Sequence, residues 1–308
     1  LIEKAGKVTL DETWYPGEDF YSDGQVEDEL LEAVKTYPSR EFPNLIAEKK
    51  SWPFLYHLSP VRQNIVSWIP FSKRDRVLEV GAGCGAVTGA LAGKAGQVTC
   101  VELSKKRSLI NAWRNQDYEN IRILVGNFLE IEKHLTENFD YVTLIGVLEY
   151  AQSYMGKDHP AETMLRCIGR HLAPGGKIVI AIENRLGLKY WAGCAEDHTG
   201  RFFEGLEGYH HTDGVRTYSR SELIRLAQRA GNWRTTFYYP YPDYKFPYSI
   251  YSDRHLPGKG ELRDNDCNFD SVKLELFDEA RVFDTLIDNG LFAEFSNSFL
   301  VILEKEEG

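Results

Sequence analysis

The chain has 308 residues, 43% of them hydrophobic and 27% charged, enough to bury a substantial core in one large or two ordinary domains. A formal net charge of −10 argues against a general nucleic-acid binder and against attraction to an anionic membrane surface, since both need Lys and Arg in excess. No apolar run approaches the ~18 residues of a membrane span, and five scattered cysteines without a C-x-x-C pair fit a reducing, cytoplasmic setting.

The first residues, LIEKAGKVTLDETW, lack the apolar region of a signal peptide. They also lack an initiating Met, so the expectation is a processed chain or a domain cut from something longer. Residues 1–50 are polar, acidic and irregular, with one short helical pattern around Glu27 to Val34, and read as an N-terminal arm. WPFLYHLSPVRQNIVSWI (52–69) has apolar residues at helical spacing and predicts a helix leading into the core. Strand, turn and helix then alternate. RVLEV (76–80) predicts a strand and AVTGALAGKA a helix; QVTCVEL predicts a strand and SKKRSLINAWRNQ a helix. IRILVGN and FDYVTLIGVLEY predict strands, AETMLRCIGRHL a helix and GKIVIAIEN a strand. Short β-rich runs interleaved with helices of about three turns imply right-handed βαβ units on a parallel sheet.

Later, YSRSELIRLAQRAGNW carries a capping box at Ser219 and Glu222, an apolar stripe of Leu223, Ile224, Leu226 and Ala227, and Gly231 as a stop. TTFYYP predicts a strand, and FLVILEKEE a last buried one. The fold class is therefore α/β, with residues 51–308 as one domain carrying inserted cap segments at 184–217 and 240–290. Structureless loops beyond ~12–15 residues are uncommon in compact domains and are usually lids or disordered.

The strongest local signal is VLEVGAGCGAVTG. Gly81, Gly83 and Gly85 follow a strand and precede a helix, where missing Cβ atoms allow a tight turn and a ligand against the backbone. By itself the loop also satisfies the dinucleotide fingerprint if Ala86 takes the third place. Glu102, ending the next strand, suits ribose hydroxyls in either case. Glu79, two residues before the first glycine, is unwelcome beside a pyrophosphate but tolerable beside an ammonium or sulfonium.

E-V-G-A-G-C-G resembles the first motif of class I S-adenosylmethionine (SAM)-dependent methyltransferases. LAPGGKIVIAIE resembles the turn leading into that family's fifth strand, and IGVLEYA its segment after strand four, with Tyr150 in place of the usual His. Together these motifs cover about residues 76 to 183. The resemblance implies a doubly wound, seven-stranded, mostly parallel sheet whose last strand runs antiparallel. It implies SAM as cofactor, with S-adenosyl-L-homocysteine as product. Gly81, Gly83 and Gly85 would line the methionine and ribose part, and Glu79 would anchor that loop or the amino group. Glu102 would take the ribose hydroxyls, Leu103 would lie beside the adenine, and Asn127 would hold the place of an Asp reading the adenine amino group. Phe128 would pack on the ring, and Gly146 and Val147 would border the transferring methyl. Tyr56, with His57, is a candidate to close over the cofactor. A core-packing role serves them equally.

More narrowly, IAIENRLGLKYWAGCAEDHTGRFFEGLEGY is similar to a segment of methyltransferase domains attached to bacterial glycosyltransferases of surface-polysaccharide synthesis. YHLSPVRQN and PYPDYKFPYSIYSD are similar too. This implies a carbohydrate or similar polar acceptor, and an attached or neighbouring glycosyltransferase as partner. An NAD(P)-dependent oxidoreductase and a non-catalytic SAM-binding module of a larger protein are the alternatives.

Methyl transfer to a hydroxyl needs a proton acceptor, and His is the usual choice near neutral pH. His198, His210 and His211, in the 184–217 insertion, are the candidates, and adjacent Asp197 is a candidate to orient His198. The spacings H-x₃₋₅-H and C-x₂₋₄-C of structural zinc do not occur, so no metal is expected. Glu183 and Asn184, ending a core strand, are candidate acceptor ligands or a turn cap. Lys189 and Arg201 are candidates to hold an anionic acceptor. The six tyrosines between 238 and 251 suit sugar rings, or simply pack an irregular segment.

Overall fold

The computed structural model describes residues 1–19, 22, 24–156, 158–265 and 273–305. Part of the expected 240–290 cap, residues 266–272, and the end of the last predicted strand lie outside them. The chain forms two units: Leu1–Ile145 with His171–Gly176, and Gly146–Arg170 with Lys177–Gly308.

In the first unit the expected irregular arm is largely regular. β1 (Ile2–Ala5) and β2 (Val8–Trp14) form an antiparallel hairpin, and β2 adds in parallel to β5 (Ile121–Gly126). The arm's polar composition hides this because only Ala5, Val8 and Leu10 of the hairpin's apolar residues are buried. A helix at Val26–Thr36 follows, burying Leu30, Ala33 and Val34 at i, i+3 and i+4. Its first turn carries Glu27, Asp28 and Glu29, matched to the positive end of the helix.

β3 (Arg76–Val80), β4 (Gln97–Glu102), β5 and β6 (Phe139–Ile145) pair in parallel, giving the order β1-β2-β5-β4-β3-β6. Helices Thr88–Lys94 and Lys105–Arg114 make the crossovers. The strands read as near-continuous apolar runs because parallel strands are covered on both faces. The helix expected over 52–69 is broken into Trp52–Leu58, a 3-10 turn at Pro60–Gln63 and Asn64–Ser67. Pro60 accounts for the break, since it cannot donate an N–H to a continuing helix. One apolar cluster joins the arm helices to the core: Leu30, Val34, Phe42 and Phe54 pack with Cys84 of the glycine loop and Ile110.

The second unit holds β7 (Leu172–Glu183, whose first residues belong to the first unit), β8 (Trp233–Tyr241), β9 (Ser249–Ser252) and β10 (Ser298–Lys305). They run in the order β7-β10-β8-β9, and the three pairings are antiparallel. The described residues thus contain ten strands where seven were expected; β1, β2 and β9 are the additions. "Mostly parallel" holds only for the first unit. Helix Arg220–Gly231 has the expected capping box of Ser219 and Glu222. Gly231 does not stop it: the stop is Asn232, left-handed at φ 54°. Gly231 lacks a Cβ for a packing reason, since one would meet the Trp233 indole at 2.5 Å.

Candidate active site

The glycine loop of the first unit is built by backbone hydrogen bonds from Gly81 and Ala82 to the Val101 carbonyl at the end of β4. Gly81, Gly83 and Gly85 all take positive φ, 69°, 52° and 74°. At Gly85 a Cβ would lie 2.3 Å from the Asn111 amide oxygen, so the loop packs directly on helix Lys105–Arg114. At Gly83 a Cβ would meet nothing within 4 Å, so its open side is free to receive a ligand. Glu102 is buried and its two oxygens accept the Gly83 and Ser104 N–H groups at 2.8 and 2.9 Å. A carboxylate has lone pairs beyond these two bonds for ribose hydroxyls. Burial raises the Glu102 carboxyl above its ordinary value against those backbone bonds.

Glu79 points into the core. It is 3% exposed, and its Oε2 accepts the Thr88 hydroxyl at 2.7 Å and the Cys100 thiol at 3.4 Å. Burial pushes its carboxyl up to about 7. Leu103, Asn127 and Phe128 are half-buried. The Asn127 amide oxygen caps the short helix Phe128–Ile131 by accepting the Leu129 N–H at 2.9 Å. Tyr56 is half-buried and stacked, with the Arg62 guanidinium 4.1 Å from its ring centre and Trp52 on the same helix 5.2 Å away.

The second unit contains a dense group of buried charges. His198 leaves only 8% of its side chain exposed. Its Nδ1 donates to Glu196 Oε1 at 2.9 Å, while Glu196 Oε2 accepts the backbone N–H of His198 and Thr199. Nε2 faces Glu149 Oε1 at 3.6 Å and Glu183 Oε2 at 3.8 Å, and the ring meets Tyr150 edge-on at 5.5 Å. Glu149 Oε2 and Glu183 Oε2 are buried without a hydrogen-bond partner. Asp197 turns the other way, to Lys189 at 2.7 Å, Lys245 at 2.8 Å and the Tyr190 hydroxyl at 2.5 Å. Lys245 also donates to Glu183 Oε1 at 2.5 Å, and Lys189 lies 3.7 Å from Asp243.

Burial alone would lower His198, but the Glu183 charge and the bonds to Glu149 and Glu196 outweigh it and hold the imidazole well above 6.5. Burial and the Glu183 charge raise Glu149 against the opposing effect of His198. Glu183 is lowered despite its burial, by Lys245 and His198, and Asp197 likewise by its two lysines.

Of the three candidate histidines only His198 enters this group. His210 and His211 are exposed; the His211 backbone N–H donates to Glu204. The orienting acid is Glu196 rather than Asp197, because a two-residue step lets the carboxylate fold back on its own turn while adjacent side chains diverge. Glu183 is in the group. Asn184 is a structural tie, donating to the carbonyls of Glu294 and Ser296. Lys189 is fully buried against acids and Arg201 is exposed beside Glu204, so neither gathers at the cluster as an anion site. The 184–217 segment is tied to itself by Arg185 to the Gly205 carbonyl, Tyr209 to Thr217 and the bridge Ala195 to Phe202, and to helix Arg220–Gly231 by Arg185 to Glu222 at 3.0 Å. Of the six tyrosines, Tyr239, Tyr241 and Tyr244 are buried, mostly as core. The expectation of no metal rested on spacing. The fold nonetheless gathers Glu149, Glu183 and His198, with one ligand atom from each lying within 4.8 Å of the others.

Glu149, Glu196 and Lys245 were missed in the sequence. The available signal was an acid at the end of a buried apolar run, which Glu149 shares with Glu183. Among the described residues no helix is long and apolar enough to cross a membrane.

Residues 78–178 match the family model of a methyltransferase domain. A ribosomal RNA small subunit methyltransferase A from Borreliella burgdorferi is 29% identical over 98 residues, 32% of this chain and 35% of that protein. A ubiquinone biosynthesis O-methyltransferase from Xanthomonas oryzae is 29% identical over 134 residues, 42% of this chain and 52% of that protein. The chain thus spans about a third to a half of the length of these relatives. A solved SAM-dependent methyltransferase from Archaeoglobus fulgidus has a TM-score of 0.49 at 14% identity, over 83% of this chain and 100% of that one. These matches are to methyltransferases and not to dinucleotide oxidoreductases, which bears on the choice the glycine loop left open.

Proposed function

Starting from a SAM-dependent methyltransferase domain, we propose that the protein O-methylates a neutral, polar, carbohydrate-like acceptor bound at the His198 group. The observation that carries the reading is the pair of buried carboxylate oxygens, Glu149 Oε2 and Glu183 Oε2, without partners beside an imidazole already oriented by Glu196. Such oxygens accept hydrogen bonds from hydroxyls, and leaving them unsatisfied in the interior is costly. Lys189 and Lys245 are committed to acids, which favours a neutral acceptor over an anionic one. Gly146, which by resemblance borders the transferring methyl, belongs to the same unit, and a Cβ there would lie 3.6 Å from Glu149 Oε1.

Bound SAM supplies an electrophilic methyl on a sulfonium. In the first unit Gly83 and Glu102 are the residues that fit its methionine–ribose part. The remaining work is alignment of the acceptor oxygen, exclusion of water and removal of one proton. Glu149 is better placed to take that proton than His198. Both imidazole nitrogens already face carboxylates, whereas Glu149 Oε2 has no partner. His198 then positions the carboxylates instead of acting alone as base. The resemblance to domains attached to glycosyltransferases supports a glycan precursor as acceptor, and an attached or neighbouring glycosyltransferase as partner.

Mass spectrometry of isotope-labelled methyl transfer into a glycan-precursor pool tests this. The expected product carries the label on oxygen. His198→Ala and Glu149→Gln should each cut turnover about a hundredfold or more, with SAM affinity unchanged. Label found only on nitrogen, or full turnover in both variants, would overturn the reading.

A further inference from the structure

The second unit gathers five buried carboxylates, Glu149, Glu183, Glu196, Asp197 and Asp243, around two lysines, Lys189 and Lys245. Acidic groups outnumber basic ones here, five carboxylates against two lysines and the His198 imidazole. The lysines sit on the Asp197 side, each within reach of that carboxylate, and the surplus falls on the His198 side. There, three electron-pair donors converge. Glu196 accepts the Nδ1 proton, and Nε2 faces Glu149 Oε1, 3.6 Å away, and Glu183 Oε2, 3.8 Å away, so a cation that displaces the Nε2 proton meets one ring lone pair and two carboxylate oxygens. Among the described residues no side chain donates to Glu183 Oε2 or to Glu149 Oε2.

We propose that Glu149, Glu183 and His198 bind one divalent transition-metal cation, of the Mn²⁺ or Zn²⁺ class. A cation bonded at about 2.0–2.2 Å to oxygen and nitrogen keeps its ligands roughly 3.0–3.6 Å apart; the two distances from His198 Nε2 need contract by only a few tenths of an ångström, and the three ligand atoms, within 4.8 Å of one another, close on the ion by side-chain rotation. Two carboxylates and one imidazole suit such an ion better than Ca²⁺ or Mg²⁺, which prefer oxygen alone. The outer partners are already in place. Glu196 on Nδ1 makes the carboxylate–histidine pair that fixes the metal-binding tautomer, and Lys245 holds the other oxygen of Glu183. Three protein ligands leave coordination positions open, where a hydroxyl oxygen of the acceptor can bind and become more acidic. The ion's role in turnover rests on the acceptor reading above; its binding does not.

The test uses the untagged chain, stripped with EDTA and titrated with Mn²⁺ alone, without SAM or acceptor. Loss of the free-ion electron paramagnetic resonance signal should report one ion per chain, displaced by Zn²⁺. Spin-echo modulation of the bound ion should show coupling to an imidazole nitrogen. Glu149→Gln and Glu196→Gln should each weaken binding tenfold or more. Absence of saturable binding, or bound Mn²⁺ without nitrogen coupling in the unmutated protein, overturns the site whether or not the variants fold. So does affinity unaltered in a folded Glu149→Gln variant. Because no methyl transfer is measured, failure here is distinct from failure of the acceptor reading.

Discussion

Replacing Glu79 with Gln should make the protein more stable above neutral pH. Glu79 lies under the glycine loop, 3% exposed, bonded to the Thr88 hydroxyl and the Cys100 thiol, and among the described residues it forms no ion pair. Burial, with the Glu102 charge adding, moves its carboxyl from an ordinary 4.5 to about 7, while the bonds from Thr88 and Cys100 pull the other way. Between those values the folded chain keeps a proton that the unfolded chain has released. The stability contributed is therefore fully present below pH 4.5 and lost as pH rises through 7. At about 1.4 kcal/mol per pH unit, the difference is on the order of 3 kcal/mol. Gln keeps an acceptor for Thr88 and carries no charge. Thermal melts of variant and wild type without cofactor, from pH 5 to 8.5, should diverge as pH rises. A gap of several degrees is expected at the alkaline end, at roughly 2–4 °C per kcal/mol. A pH-independent difference, or a variant less stable than wild type at the alkaline end, would refute the assignment of a buried, proton-retaining carboxyl.

Glu102→Ala should weaken SAM binding at least about tenfold by calorimetry, through loss of charge-assisted hydrogen bonds; unchanged affinity excludes Glu102 as the ribose contact. Gly85→Ala, forced against Asn111 at a φ of 74°, should cost about 1–3 kcal/mol in denaturant unfolding, and a neutral result would mean the loop shifts freely. Asp197→Ala strands Lys189 and Lys245 among fewer acids and should cost about 3–5 kcal/mol. A cost below about 1 kcal/mol would show that both ammoniums reach water in the variant.

The parallel strands β3 to β6, their crossover helices and the capped helix Arg220–Gly231 were legible because each rests on a local period or a local cap. The hairpin of the arm was not. Its pairing with β5 joins residues more than a hundred positions apart, and its acids, such as Asp11 with Arg122, read as solvent-facing until the partner strand is present. The same limit governs the candidate site. His198 was legible as a histidine inserted after a core strand. Its partners Glu149 and Glu183 come from separate segments, and Lys245 from a run that reads as aromatic packing.

By itself, then, the sequence determined the glycine loop and its place between β3 and a helix, because tight turns and alternating elements are short-range properties of the chain; the methyl donor came from the resemblance of whole motifs to a family, since the loop alone fits a dinucleotide as well. Only tertiary structure decided which histidine joins the buried acids, that Glu196 and not Asp197 bonds its Nδ1, and that two carboxylates face it. Electrostatic pairing depends on distances of a few ångströms between residues whose separation along the chain carries no trace of them.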